Sequence, residues 1–218
     1  MEKFNSKIIL SAAISIDGKI ATVTGESKLS SKQDLIRLHK LRSQVDAILV
    51  GRNTVNIDDP LLTVRYSKGK NPIRIILDSG GTISERSKIL QTSHKIKTII
   101  VVSKKISNKN LQKLKNFPIE IITIGEKKIN VNLLMNILRK KKIKTVLLEG
   151  GGTINWEFIK NNLVDEYFIT LTPFILGGKN SISLVQGEGF GKISKSTKLQ
   201  LVRTKRLGNE IVLNYVKL

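Results

Sequence analysis

The sequence predicts an α/β protein, a single domain on a mixed central sheet with helices on both faces. Three observations carry this expectation. Strand-like and helix-like patterns alternate along most of the chain, with short connections between them. Glycines and small polar residues recur just after the strand-like runs, where an α/β sheet turns toward its next helix. The last two apolar runs, residues 199–203 and 210–216, read as an antiparallel pair turning at Leu207-Gly208-Asn209, so the sheet is mixed rather than purely parallel.

The elements follow in order. Residues 7–14 form a β-rich run, Ser15-Ile16-Asp17-Gly18 reads as a turn, and residues 19–22 resume an extended pattern. Ser30 and Gln33 have the spacing of a capping box for a helix that runs to about residue 44. Residues 47–50 are a short apolar strand, followed by a helical turn over 52–57 that Pro60 stops. Residues 72–77 and 98–102 are strands, 108–116 a helix and 119–124 a strand. Asn130 caps a helix over 131–142 whose apolar face carries Val131, Leu134, Ile137 and Leu138. A strand over 145–148 leads into a helix over 153–159, and 166–171 is a strand. No repeat, low-complexity tract or long linker interrupts residues 1–218.

With 218 residues, 40% of them hydrophobic, the chain is long enough for one domain with a substantial core. It has no 18-residue apolar run, so no membrane span is expected, and Met1-Glu2-Lys3-Phe4-Asn5 lacks the basic-then-apolar layout of a leader. Cysteine is absent, which excludes disulfides, thiolate metal ligands and cysteine nucleophiles. The two histidines lack metal-ligand spacing, so no metal site is expected. A cytoplasmic, soluble protein follows as the default. The net charge of +21 attracts polyanions and makes nucleic-acid binding a rival reading. Against it, the lysines are scattered and aromatics are only 5%, which leaves few stacking platforms. The densest run, residues 139–144, falls at a helix C-terminus, where cations suit the helix dipole. No dedicated nucleic-acid partner is therefore expected, whereas attraction for phosphorylated small molecules is.

The richest segment is Leu147-Leu148-Glu149-Gly150-Gly151-Gly152-Thr153. A buried strand ends at Glu149, and three glycines let the backbone turn and pass close to a ligand. The helix that follows presents unpaired N–H groups and its positive end, which suit a phosphate. Read by itself, the segment fits a plain strand-to-helix connection equally well. A second segment runs from Gly51 to Arg65. Thr54 and Asp58 lie four apart and share one face of the helical turn, where a hydroxyl and a carboxylate hold ribose or amide groups; alone, Asp58-Asp59-Pro60 reads as an ordinary helix exit.

His39 and Arg42 lie on the apolar face of the first helix with Leu35 and Leu38, at i, i+3, i+4, i+7 spacing. A half-buried arginine needs an anionic partner, either an internal acid such as Asp46 or a ligand phosphate. His39 reads as a hydrogen-bonded core residue rather than a ligand. Lys19, just past the Asp17-Gly18 turn, and the Gly25-Glu26-Ser27 loop are further approach points, as are Asp78-Ser79-Gly80-Gly81-Thr82 and Gly177-Gly178. If the strands are mainly parallel, these glycine-bearing ends gather along one rim, which favours an extended, phosphate-bearing ligand.

In this order, five segments resemble the reductases of riboflavin biosynthesis that act on 2,5-diamino-6-(ribosylamino)-4(3H)-pyrimidinone 5′-phosphate, in their stand-alone archaeal form. They are Ser15-Ile16-Asp17-Gly18-Lys19-Ile20-Ala21, Gly25-Glu26-Ser27, His39-x-x-Arg42, Thr54-x-x-x-Asp58-Asp59-Pro60-x-Leu62-Thr63-Val64-Arg65 and Leu148-Glu149-Gly150-Gly151-Gly152-Thr153. Bacteria carry a similar reductase fused behind a zinc deaminase. The resemblance spans the chain from about residue 7 to the C-terminus. It implies a dihydrofolate-reductase-like fold, NADPH as hydride donor and a homodimer. The implied reaction opens the ribosylamino sugar to an imine and reduces it to a ribitylamino group. Zinc deaminases need cysteine ligands, so this cysteine-free chain is expected to carry the reduction alone. By the same resemblance, Thr54, Asp58, Ser79, Gly80, Gly81, Thr82, Gly150, Gly151, Gly152 and Thr153 contact NADPH. Lys19, Ser27, Arg42, Leu61, Arg65 and Glu149 contact the substrate, with Lys19 and Glu149 the candidates for catalytic roles. Arg42, Arg65 and Lys19 are suited to the 5′-phosphate or ribose hydroxyls, and Glu149 to the pyrimidine amino groups. Gly80-Gly81 is richer in glycine than this resemblance leads one to expect. Two rival functions remain at this point: another NADPH-dependent reductase acting on a pterin-like heterocycle, and a basic nucleic-acid-binding protein.

Overall fold

A computed structural model of the protein describes residues 6–218. Met1–Asn5, the segment without a leader-like layout, lies outside the described residues. The chain runs β1 (Lys7–Ile14), β2 (Lys19–Ala21), α1 (Lys32–Arg42), β3 (Ala47–Gly51), α2 (Arg52–Asp58), β4 (Ile73–Leu77), α3 (Lys88–Gln91) and β5 (Thr98–Val102). It continues α4 (Asn108–Lys115), β6 (Glu120–Thr123), α5 (Val131–Lys140), β7 (Thr145–Gly150), α6 (Gly152–Lys160) and β8 (Glu166–Leu171). It closes with β9 (Ile182–Ser183), β10 (Leu199–Leu207) and β11 (Glu210–Lys217). Among the described residues no helix is long and apolar enough to cross a membrane.

Nine strands form one sheet in the order β10-β11-β8-β1-β7-β3-β4-β5-β6. The strands from β8 to β6 run parallel, and β11 joins β8 antiparallel, so the sheet is mixed. The central strands are apolar at nearly every position because both of their faces are covered: all five residues of β3 and of β5 are buried. One core packs α5 and α6 through Leu134, Leu138 and Phe158. The other packs α1 to α4 through Leu38, Leu41, Val55, Leu90 and Leu114. Helices on both faces are therefore observed.

The element boundaries hold to within a few residues, with physical reasons for the differences. The α1 cap is Ser31, whose hydroxyl accepts from the Asp34 amide, one residue past the Ser30–Gln33 box. Ser31 is in turn fixed by Glu210, whose carboxylate accepts from its amide at 2.7 Å and its hydroxyl at 2.5 Å. Asn130 caps α5 as expected, its carboxamide oxygen accepting from Leu133 N at 3.1 Å, but the helix ends at Lys140. The closing hairpin turns through Gly208-Asn209, with Leu207 paired to Glu210. The extended pattern over 19–22 is β2, whereas its partner β9 and the single-turn α3 carry no local signal that separates them from loop.

The inward stripe of α1 departs from the expected apolar face. Its buried residues are Asp34, His39 and Arg42. The sheet beneath is polar to match: Thr170 donates to Asp34 at 2.7 Å, and Arg37 pairs with the same carboxylate at 2.7 Å. Leu35 and Leu38 are half-buried beside this polar seat.

Candidate active site

Because β8, β1, β7, β3 and β4 run parallel, their carboxyl ends share one rim of the sheet. In open α/β sheets ligands bind at this edge. The glycine-bearing segments expected to converge do so here: Asp17-Gly18 after β1, Gly51 closing β3, Ser79 to Gly81 after β4, Gly150 to Gly152 between β7 and α6, and Gly177-Gly178 beyond β8. Asp17 ties two of them together by accepting from Leu176 N at 3.0 Å and Gly177 N at 2.7 Å. Those bonds, with one from Ser15, hold its carboxyl down at about 2.

The three consecutive glycines serve different ends. A Cβ on Gly150 would lie 1.8 Å from the Asn155 carboxamide oxygen, and one on Gly152 would lie 2.5 Å from the Ser183 carbonyl. These two are close-packing positions. Gly151 has φ +101, which L side chains rarely adopt, and its nearest neighbour is the Thr54 hydroxyl. Gly151 caps α6 with no side-chain hydrogen bond, so the first-turn amides of Gly152, Thr153 and Ile154 have no side-chain acceptor from the cap. Of the three glycines, only Gly151 at this helix end leaves room beside amides without a side-chain cap, the arrangement that suits an anion. Thr54 closes its side by donating to Gly150 O at 3.1 Å. Asn155 Oδ1 is buried against this turn and, among the described residues, has no hydrogen-bond partner.

The Ser79–Thr82 loop is organised differently. The buried carboxylate of Asp78 accepts from the amides of Gly80, Thr82 and Ile83, while the Gly81 amide donates to its carbonyl at 3.0 Å. Those amides are occupied within the loop. The Thr82 hydroxyl also donates to Asp78, at 3.3 Å, and accepts from Arg52 at 3.2 Å. This explains the glycine-rich departure noted above: Gly81, at φ +62, lets the chain wrap around Asp78.

On the other side of the rim, Lys19 donates to Ser183 at 3.1 Å across the β2–β9 ribbon. Ser27 donates to Asp58 at 2.8 Å, drawing the 25–29 loop onto α2. The packing there raises the Asp58 carboxyl above its ordinary range, against the opposing effect of Ser27.

Glu149 and Arg42 form the charged centre. Arg42 Nε donates to Oε1 at 2.8 Å and Nη2 to Oε2 at 2.6 Å, a two-pronged pair with both side chains almost buried. Burial pulls the Arg42 pKa down, yet the Glu149 charge and hydrogen bonds leave it raised overall. The internal acid that Arg42 needs is thus Glu149 and not Asp46, which instead accepts from Lys144 N and Thr145 N. Arg42 Nη1 also donates to Thr63 O at 3.2 Å. Arg65 donates to the Thr63 hydroxyl at 2.8 Å, is exposed, and belongs to none of the ion pairs among the described residues. His39 is buried, and its Nδ1 accepts from Arg65 N at 2.7 Å. Burial first, then the neighbouring Arg42 and Arg65 charges, lower its pKa to about 4. His39 is therefore the hydrogen-bonded core residue that the sequence suggested. Leu61 is half-buried, with its carbonyl held by Arg74 at 3.3 Å.

Ser183, Asn155 and Arg74 were not singled out by sequence reasoning. Their partners lie far away along the chain, so only the fold brings them to the site. Asp78 was visible, as an acid between a strand end and Ser-Gly-Gly-Thr, but its role as the hub of that loop was not.

The fold defines an α/β protein of the dihydrofolate-reductase type, with glycine-bearing turns and a buried ion pair along one rim of its sheet. The chain belongs to the RibD C-terminal domain family, whose model it matches over residues 6–213. It is similar to the 2,5-diamino-6-ribosylamino-4(3H)-pyrimidinone 5′-phosphate reductase of Methanothermobacter thermautotrophicus, 36% identical over 211 residues that cover 95% of this chain and 96% of that one. The protein of the same name from Aquifex aeolicus is 37% identical over 212 residues, covering 93% and 94%. In fold it is similar to RibD of Acinetobacter baumannii, with a TM-score of 0.84 at 24% identity, covering all of this chain and 59% of that one. Dihydrofolate reductase of Enterococcus faecalis, complexed with NADP(H), superposes with a TM-score of 0.54 at 13% identity, covering 98% of each.

Proposed function

We propose that the protein uses NADPH to reduce the ribosylamino group of 2,5-diamino-6-(ribosylamino)-4(3H)-pyrimidinone 5′-phosphate to ribitylamino. The observation that carries this reading is the juxtaposition on one rim of an uncapped helix N-terminus behind Gly151 and the Glu149–Arg42 pair. The first suits a diphosphate; the second suits an amino-substituted heterocycle. The similar proteins of Methanothermobacter thermautotrophicus and Aquifex aeolicus are named as reductases of this same substrate.

The residues fit a nicotinamide dinucleotide: Gly151 leaves room where a side chain would be strained, and no side chain caps the amides behind it. Gly150 to Thr153 would hold the diphosphate, Thr54 and Asp58 the adjoining ribose or amide, and Ser79 and Thr82 the far end. The bound dinucleotide supplies the hydride. The protein's own part is orientation. Arg42 engages one lone pair on each oxygen of Glu149 and leaves the others to accept from the pyrimidine amino groups. Lys19, fixed by Ser183, is a donor for the ribose oxygens or the nitrogen of the opened sugar. Arg42 is committed to Glu149, so Arg65 is the cation left for the 5′-phosphate, with Ser27 and Leu61 lining the approach. A bare pterin has no use for Arg65, and this favours the phosphorylated ribose over that alternative.

The test is loss of the reduced-nicotinamide absorbance with the ribosylaminopyrimidine phosphate as substrate and a pterin in parallel. Turnover of the first only is expected. A folded protein that turns over neither abandons the proposal.

We further propose that two copies associate through the uncovered face of the closing hairpin. Ile211, Leu213, Tyr215, Leu201 and Leu199 share one side of the hairpin, and Leu199, Leu213 and Tyr215 line a cavity of about 490 Å³ together with Trp156 and Phe190. Leu199, Leu201 and Ile211 are exposed on this face, with Lys217 and Arg206 paired beside them at its margins, and covering such apolar side chains is what would drive two copies together. Sedimentation is expected to show a dimer that Leu201→Asp converts to monomer; an unchanged wild-type monomer rejects this.

A further inference from the structure

The segment that carries Arg65 has no regular secondary structure, and yet it is tied to α1 at several points. Both the Arg65 amide, at 2.7 Å, and the Tyr66 amide, at 3.4 Å, point at Nδ1 of His39. An atom that accepts from amides carries no proton, so the imidazole is neutral with its hydrogen on Nε2. The Tyr66 ring packs on the imidazole at 4.6 Å between centroids, and the Arg65 guanidinium lies 5.9 Å from the Tyr66 centroid. Two residues earlier, Arg42 holds Thr63 O. His39 and Arg42, one helical turn apart on α1, thus grip the same loop at successive points.

Building on the proposed reductase, we infer that His39 is a positioning residue for substrate recognition: by fixing the Arg65–Tyr66 backbone it aims the Arg65 guanidinium at the substrate's phosphate. The chemistry calls for an uncharged acceptor at this point. A lysine or arginine offers none, and a carboxylate would pair with Arg65 and Arg42 and remove the free cation from the cleft. A neutral imidazole satisfies the two amides and leaves Arg65 unpaired. The arrangement separates two cations on one loop–helix junction: Arg42 is bound to Glu149, and Arg65 is left for a ligand.

The experiment compares wild type with His39→Asn, whose carboxamide oxygen can stand in for Nδ1, His39→Gln, whose acceptor is displaced by one methylene, and His39→Leu, which has none. Two readouts are taken: steady-state KM for the ribosylaminopyrimidine phosphate and for NADPH, and affinity for ribose 5-phosphate by titration calorimetry. His39→Leu is expected to raise the substrate KM about tenfold with NADPH KM changed less than about twofold, while His39→Asn stays near wild type. Ribose 5-phosphate affinity is expected to fall in parallel, and Arg65→Ala to add little when combined with His39→Leu. If His39→Leu does not fold, His39→Gln carries the test, with an intermediate rise in substrate KM alone. Equal rises in both KM values, full additivity with Arg65→Ala, or unchanged ribose 5-phosphate affinity in every variant overturns the inference. Absence of turnover by wild type abandons the reductase reading, while the ribose 5-phosphate titration still decides the role of His39.

Discussion

Arg42 and Arg74 are both buried on the side of the sheet that α1 covers, and they are held in opposite ways. Arg74 stands opposite Ile48 in the β3–β4 register, and Ile48 belongs to the core that also packs Leu38 and Leu41 of α1. Arg42 meets one carboxylate with a two-pronged pair at the rim. Among the described residues Arg74 meets no carboxylate: its hydrogen bonds go to the hydroxyls of Thr92 and Thr98 and to the carbonyls of Leu61, Ile89 and Ile96. Burial without a counter-charge lowers the Arg74 pKa to about 10, still cationic at neutral pH. A carboxylate partner makes a guanidinium part of a recognition surface, since the carboxylate keeps lone pairs for a ligand. Neutral acceptors gathered from several segments make a guanidinium a strut. Arg74 fastens the 61, 89 and 96 stretches to β4 and β5, and so supports the loop that leads to Thr63 and Arg65.

The strut is expected to matter most for stability. Arg74→Met leaves several buried acceptors without donors and is expected to cost on the order of 4 kcal/mol in urea unfolding. The comparison breaks if this variant keeps wild-type stability and loses only turnover. The paired arginine behaves differently. Glu149→Gln strands a buried guanidinium and is expected to cost about 3 kcal/mol. It also lowers substrate reduction at least about a hundredfold while NADPH affinity stays within about threefold. Replacing both partners, Arg42→Met with Glu149→Leu, is expected to recover most of the lost stability without recovering activity. Arg74 has no single partner whose removal could rescue it, which makes the double variant the sharpest division between the two. Equal loss of NADPH affinity and reduction in Glu149→Gln would move Glu149 from the substrate side to the cofactor side or to folding.

His39 allows the paired region to be probed by pH. Its folded pKa of about 4 lies below the ordinary histidine value of 6.5. Between these values the unfolded chain binds a proton that the folded chain refuses, so this contribution to stability is complete above pH 6.5 and declines as pH falls toward 4. The loss is expected to be about 2–3 kcal/mol over that window. It is read as the difference between wild type and His39→Asn, which cancels the carboxylates common to both. A difference that stays flat across the window would mean that His39 is free to protonate in place, and the tie to Arg65 would then be weaker than its 2.7 Å distance implies.

What was legible in the sequence divides along the same line. The central strands β3, β4, β5 and β7 are apolar runs, because a buried parallel sheet demands them, and glycine closes or follows β3, β4 and β7, where the chain turns. Gly150 to Gly152, Thr54, Asp58 and Glu149 could therefore be found from local pattern. Arg42 was recognised as needing an anion, but its choice of Glu149 over Asp46 depends on a contact across 107 positions. Arg74 was invisible as a strut, since an arginine within a strand-like run reads as an outward-facing residue. Its surroundings are assembled from four segments that only the fold brings together. The polar seat of α1 escapes sequence reading for a related reason: Leu35 and Leu38 imply an apolar stripe, and it takes Thr170 on the sheet beneath, with Ser30 and Arg37, to make Asp34 the better-buried residue.

The smallest expected effect lies at Gly151, immediately beyond the Glu149 side of the comparison. Its φ of +101 is open to glycine and strained for alanine. The nearest atom to an added Cβ is the Thr54 hydroxyl at 3.4 Å, an ordinary contact, so crowding adds nothing to that strain. Gly151→Ala is therefore expected to cost only about 1–2 kcal/mol of stability. Its added methyl stands beside the uncapped amides of α6, so a larger part of the effect is expected in NADPH affinity, measured by fluorescence titration. Gly150→Ala provides the contrast, because its Cβ would fall 1.8 Å from Asn155 Oδ1 and must displace the buried side chain that ties α6 to Leu184. If both variants lose stability alike and bind NADPH alike, Gly151 is a packing glycine like its neighbours. The diphosphate site then belongs elsewhere on the rim, and the Glu149–Arg42 pair loses the neighbour that gave it a role in recognition.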